Sequence, residues 1–257
     1  MKVYFIGAGP GDPELITVKG ARIVKQCPLI LYAGSLVPQA ILQDVATNAK
    51  IIDTASLHLD EIIDYIAEAA QNNIDVARLH SGDPAIYGAI GEQIRRLRAL
   101  DIDYEVIPGV TAMSASAATL GKELTLSGIS QTVIMTRYAG KTPMPNAESL
   151  SELAKHQATL AIHLGISRIH KIVAELIPYY GEHCPVAVCY KTSWPDEVVI
   201  TGTLNDIVAK VREQGITRTA LILVGEVINP REFADSYLYS EDQAHIYRPK
   251  VRSVIKK

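Results

Sequence analysis

Residues 76–88 limit the possible folds of this chain more than any other stretch. A short apolar run, Val76-Ala77-Arg78-Leu79, leads into Ser-Gly-Asp-Pro-Ala-Ile-Tyr-Gly at 81–88, and helical periodicity follows from Ile90. Strand, Gly-Asp-Pro turn and helix in that order form the βα unit of an open α/β sheet, where ligands bind beyond the carboxyl ends of parallel strands. Gly82 permits a positive φ or a close backbone approach, Asp83 places one fixed negative charge, and Pro84 presets a helix-entry φ. Asp83 therefore has two readings, as a partner for a cationic or hydroxyl-bearing ligand or as the cap of the next helix.

The same punctuation recurs along the first half. Strands are expected at 3–6, 29–32, 51–53 and 104–107, with helices at 17–25, 59–71 and 90–100. In the second helix Ile62, Ile63, Ile66, Ala69 and Ala70 recur at helical spacing and face a core. The first strand ends in Gly7-Ala8-Gly9-Pro10-Gly11-Asp12-Pro13, and the strand at 104–107 ends in Pro108-Gly109-Val110-Thr111-Ala112. The first of these loops is not a dinucleotide fingerprint: Asp12 stands where a third glycine belongs, Pro10 has no N–H for a pyrophosphate, and Ala33-Gly34-Ser35 offers no acid to a ribose. Its glycines still mean that backbone comes close to something. Turn chemistry at three strand ends is compatible with one pocket. Beyond a small-residue helix at 113–120 the pattern changes, with strands expected at 131–136, 159–164, 186–190, 198–201 and 220–224 and helices at 149–156, 169–177 and 204–214. The fold class is α/β, in two lobes divided as 1–112 and 113–257, the second ending in a polar, tyrosine-bearing tail that lies across the surface or a partner subunit.

Composition narrows the partners. The chain has 257 residues, of which 48% are hydrophobic, enough for two lobes with cores of their own. The formal net charge is -3 and no run of Lys or Arg exceeds two, which disfavours nucleic acid. No apolar stretch approaches the roughly 20 residues of a membrane span, and Met1-Lys2-Val3-Tyr4-Phe5 begins a strand rather than a signal peptide, so a cytoplasmic location is expected. Cys27, Cys184 and Cys189 lack metal or redox spacing and read as reduced, packed thiols. His163 and His170 are too weak a pair to indicate a metal.

Taken together, the loop at 7–13, Gly82-Asp83-Pro84 with Tyr87-Gly88, and Pro108 to Ala112 resemble the tetrapyrrole methylase family. Pro185-Val186-Ala187-Val188 and Ala220-Leu221-Ile222-Leu223-Val224-Gly225 extend the resemblance over essentially the whole chain. It implies methyl transfer from S-adenosylmethionine to a carbon of a cobalamin or sirohaem precursor, with the donor folded in the cleft between the lobes, and a homodimer. Tyr32-Ala33-Gly34-Ser35-Leu36-Val37, Thr136-Arg137, Gly140-Lys141-Thr142-Pro143, Ser193-Trp194-Pro195-Asp196-Glu197 and the tail at 237–248 resemble the branch acting on carbon 11 of precorrin-4 or cobalt-precorrin-4. Other methylases of that pathway, and diphthine or ribosomal-RNA methylases of the same fold, are the alternatives. Ala33 stands where uroporphyrinogen-III methylases have an acid.

The resemblance implies a donor site of Pro10, Gly82, Asp83, Ile86, Thr111, Ala112, Leu164, Tyr190, Thr192, Thr219, Ala220 and Leu221, with Leu164 standing where the family has a methionine. A substrate with several carboxylates requires a local basic patch in an acidic chain. Arg137 and Lys141 are the candidates, a guanidinium meeting a carboxylate as a bidentate fork. Ser35, His58 and Tyr87 complete the substrate-facing set. No general base and no metal is named.

Overall fold

The computed structural model describes residues 1–140, 142–233 and 235–236. Lys141 and the tail at 237–257 lie outside the described residues. The apolar runs of the first half become a five-stranded parallel sheet of β1 (Lys2–Gly7), β2 (Leu29–Tyr32), β3 (Lys50–Asp53), β4 (Val76–His80) and β5 (Asp103–Ile107). Its order is β3-β2-β4-β1-β5. β1 lies between β4 and β5, with Gly7 opposite His80 and Ile6 opposite Ile107, so the loops after these three strands emerge side by side.

Helices cover both faces, as an all-parallel sheet requires. Ile23 and Val24 of α1 (Val18–Gln26) pack with Ile6, Ile30 and Leu79 on one side. Ile62, Ile63 and Ile66 of α2 (Leu59–Gln71) and Leu97 of α3 (Ile90–Ala99) pack with Val3, Phe5 and Leu31 on the other.

The second sheet has a different plan. After α4 (Ala112–Leu120) come β6 (Val133–Arg137), α5 (Leu150–Ala154), β7 (Thr159–His163), α6 (Ile169–Tyr180), β8 (Pro185–Tyr190), β9 (Val198–Thr203), α7 (Ile207–Glu213) and β10 (Ala220–Val224). The order is β6-β7-β10-β8-β9, in which only β6 and β7 are parallel. Because β10 runs antiparallel to both neighbours, its start lies beside the ends of β7 and β8. α5, α6 and α7 seal one face around Ile162, Leu176, Val188 and Ile222. α4 lies on the other face, where Met113 and Ala117 pack with Ala187, Leu221 and Leu223.

Several local expectations are adjusted. α6 runs through Pro178 to Tyr180, because a proline in the last turn forfeits only one N–H bond before the helix stops at Gly181. α7 begins at Ile207 rather than 204, since the Asp206 side chain accepts the Thr203 N–H at 2.8 Å and holds the preceding turn. The three cysteines are buried and unpaired, with burial raising their thiols to about 12, 12 and 11 at Cys27, Cys184 and Cys189. No helix among the described residues is long and apolar enough to cross a membrane.

Candidate functional site

The ends of β1, β4 and β5 are joined through glycine backbone. The Ala8 N–H donates to the His80 carbonyl at 2.8 Å, and Gly82 donates to the Gly9 carbonyl at 2.7 Å. A Cβ on Gly109 would lie 2.1 Å from the Gly82 oxygen and 2.8 Å from the Gly7 Cα. These three glycines therefore approach one another, and the contact anticipated for the loop at 7–13 is in part a neighbouring strand end. Asp83 locks the same junction: its Oδ1 accepts the Ala85 N–H at 2.7 Å and its Oδ2 the Gly109 N–H at 3.0 Å. Both carboxylate oxygens are thus engaged by backbone, and Asp83 ties the turn after β4 to the turn after β5.

The opposing edge of the second sheet turns on left-handed residues other than glycine. Leu164 follows β7 at φ +54, Lys191 follows β8 at φ +45, and Thr219 precedes β10 at φ +54. Left-handed backbone at three such residues is uncommon, costs about 1–3 kcal/mol each, and gathers where a site is held in a fixed shape. The Lys191 N–H donates to the Thr219 carbonyl at 2.9 Å, so two of these turns brace each other. Leu164 is 71% exposed on the cleft despite its apolar side chain.

Two loops close the space between the sheets. The Trp194 indole N–H donates to the Pro10 carbonyl at 2.8 Å, and the Asp12 N–H donates to Ser193 Oγ at 2.9 Å. The indole lies where a side chain on Gly11 would be, 2.1 Å from the position of its Cβ. On another side the Tyr87 and His163 rings meet with centroids 5.3 Å apart. Burial lowers His163 to about 4, so its imidazole is neutral near pH 7.

The cavity measures about 340 Å³, within the range of small-molecule sites. Of the residues anticipated for the donor, Pro10, Gly82, Ala112, Leu164, Thr192, Thr219, Ala220 and Leu221 line it. Asp83, Ile86, Thr111 and Tyr190 are not on its wall. Thr111 caps α4, its Oγ1 accepting the Ser114 N–H at 3.3 Å, and the Ile86 N–H closes the turn onto the Asp83 carbonyl at 3.1 Å. Tyr190 pairs with Ala220 in the sheet.

The residues anticipated for the substrate lie apart from this wall. Ser35 is exposed in the turn after β2, and His58 is the exposed N-cap of α2, its N–H donating to Glu61 Oε2 at 2.7 Å. Tyr87 touches the wall through His163. Arg137 gives its guanidinium N–H groups to the Thr142 and Pro143 carbonyls at 3.1 and 2.7 Å, because its own loop curls back over it. His170 is exposed on α6 and shares no face with His163.

Among the wall residues that sequence reasoning missed are Leu36, His163, Trp194 and Arg218, whereas Lys191 falls within the stretch 190–192 that it pointed to. Their shared signal is position: each ends a strand or lies in a loop at a strand end, which identifies residues only once strand neighbours are known. Among the described residues no aspartate or glutamate lines the cavity, whereas Lys191 and Arg218 do.

The family model for tetrapyrrole (corrin/porphyrin) methylases matches residues 2–208. The chain is 59% identical over 249 residues to a precorrin-4 C(11)-methyltransferase of Pseudomonas aeruginosa, covering 97% of this chain and 99% of that one. It superposes on a solved cobalt precorrin-4 methyltransferase with a TM-score of 0.87 and 43% identity, covering 89% of this chain and 96% of the other. A Thermus thermophilus uroporphyrin-III C-methyltransferase solved with S-adenosylhomocysteine gives a TM-score of 0.74 at 29% identity, covering 92% and 96%. Two α/β sheets facing each other across a cavity, matched over nearly their whole length, establish that the chain belongs to the tetrapyrrole methylase family.

Proposed function

We propose that this chain methylates carbon 11 of precorrin-4, with or without cobalt, using S-adenosylmethionine, and so yields the corresponding precorrin-5 in cobalamin biosynthesis. The observation carrying this reading is the strand-end cavity in a chain so similar, end to end, to a precorrin-4 C(11)-methyltransferase. A sulfonium nucleoside fits its character. The wall offers apolar surface at Leu36, Ala112, Leu164 and Leu221 and the hydroxyl-bearing side chains of Ser81, Ser167 and Thr217.

When bound, the donor supplies an already activated methyl, transferred as its carbon–sulfur bond breaks toward sulfur and the ring carbon supplies the new bonding pair. The protein's work is then alignment and exclusion of water. Gly82 and Ala112 hold one side of the donor, and Leu164, Thr192, Thr219, Ala220 and Leu221 the other. Asp83 acts through the backbone, holding the turns after β4 and β5 in place. The same reading includes a lobe boundary at residue 112, a homodimer and a cytoplasmic location.

The deciding experiment incubates the protein with methyl-labelled S-adenosylmethionine and either metal-free or cobalt-loaded precorrin-4. Label in a product heavier by one methyl is expected, and the preferred arm identifies the natural substrate. Label found only in RNA or protein would overturn the reading.

A further inference from the structure

We propose that Arg218 is the carboxylate-binding residue of the cleft. It is exposed on the cavity wall and makes no hydrogen bond or ion pair among the described residues. The other cation of the wall, Lys191, is committed elsewhere: its Nζ lies 2.6 Å from Asp196 Oδ2 and 5.2 Å from the centre of the Trp194 ring. Arg137, the cation expected to meet an acidic ligand, is occupied by the carbonyls of its own loop.

The backbone beneath Arg218 is fixed. Thr219 holds a left-handed conformation and accepts the Lys191 N–H, and the next residue enters β10 opposite Tyr190. A guanidinium on so firm a base, at the edge of a cavity walled by Leu36, Leu164 and Leu221 and lined by no acid among the described residues, complements a ligand with an apolar body and a terminal carboxylate. This inference rests on the methyltransferase reading, in which two molecules bring that group: the donor through its amino-acid end and the macrocycle through its acidic side chains.

Calorimetry with S-adenosylhomocysteine and with 5′-methylthioadenosine, which lacks the amino-acid end, together with KM for precorrin-4, separates the two sources. If the donor carboxylate is the partner, Arg218→Ala weakens S-adenosylhomocysteine about tenfold and leaves 5′-methylthioadenosine unchanged, with Arg218→Lys intermediate. If the macrocycle is the partner, both nucleosides bind as before and KM rises about tenfold at constant kcat. An Arg218→Ala protein that matches the wild type in all three measurements overturns the inference and leaves the methyltransferase reading intact. A wild-type protein that binds no S-adenosylhomocysteine and transfers no methyl overturns that reading, and the inference with it.

Discussion

The indole N–H of Trp194 donates to the carbonyl oxygen of Pro10 at 2.8 Å, joining residues 184 positions apart across the cleft. The ring sits against Gly11, and the neighbouring bond from the Asp12 N–H to Ser193 Oγ doubles the attachment. The glycine-proline loop that looks in sequence like a phosphate cradle is, in its second half, the seat of a tryptophan.

Trp194→Phe removes one hydrogen bond and should cost about 1 kcal/mol in urea unfolding. Gly11→Ala sets a Cβ within the indole and should dislodge the same ring. Since both changes break one contact, the double variant should be less destabilised than the sum of the singles, by about 1 kcal/mol. Strict additivity would show that the two loops do not depend on each other. Trp194 is the sole tryptophan, so its emission should also respond to S-adenosylhomocysteine.

The glycine junction makes a second prediction. In Gly109→Ala the new methyl meets backbone on two sides, neither of which can rotate away, so a loss of about 2–3 kcal/mol is expected. Gly121→Ala is the comparison: φ is +62 there but nothing lies within 4 Å of the added carbon, so only the conformational penalty of about 1 kcal/mol applies. Equal losses in denaturant midpoint would remove the argument for close packing at residue 109.

Much of the first lobe can be read from sequence, because parallel strands buried on both faces are short apolar runs and the helices between them have one apolar stripe. Leu59–Gln71 is a helix on the pattern of Ile62, Ile63, Ile66, Ala69 and Ala70. The second sheet is less transparent: its strands are equally apolar, and nothing local states that β10 inserts between β7 and β8. The cavity residues divide in the same way. Gly82 and Ala112 follow from strand-end turns, whereas Arg218 and Lys191 become neighbours only through that insertion, and the occupation of Arg137 depends on a loop that carries no periodic signal.

Asp83 illustrates how two readings can converge. Its carboxylate caps one turn and pins another, so Asp83→Ala should lower stability by about 1–2 kcal/mol and weaken S-adenosylhomocysteine as the cavity wall loosens. Asp83→Asn keeps one acceptor oxygen but sets an NH₂ group against a backbone N–H, so it should recover only part of the stability. Calorimetric affinity for S-adenosylhomocysteine should follow stability across the two variants if Asp83 acts through the turns. Lost affinity at unchanged stability would instead indicate direct contact with the donor.

Acid should destabilise the fold through His80. This side chain is buried beside Phe5, with ring centroids 5.9 Å apart, and its Nε2 has no hydrogen-bond partner. Burial, reinforced by the charge of nearby Arg78 and opposed by a hydrogen bond donated to the Gly88 backbone, lowers it from 6.5 to about 3. Between those values the unfolded chain binds a proton that the folded protein refuses. The stabilisation is therefore complete above pH 6.5 and is lost progressively as pH falls from 6.5 toward 3, at about 1.4 kcal/mol per pH unit. His163, lowered to about 4 by burial, adds a slope of the same sign. Urea unfolding at pH 7, 6 and 5 should show stability falling with pH, and His80→Phe should remove about 1.4 kcal/mol per unit of that slope between pH 6 and 5. The reading depends on the slope rather than on absolute stability, so an imperfect fit of the new ring does not obscure it. A slope unchanged in His80→Phe would mean that His80 is protonated in the folded protein, with its buried nitrogen finding a partner.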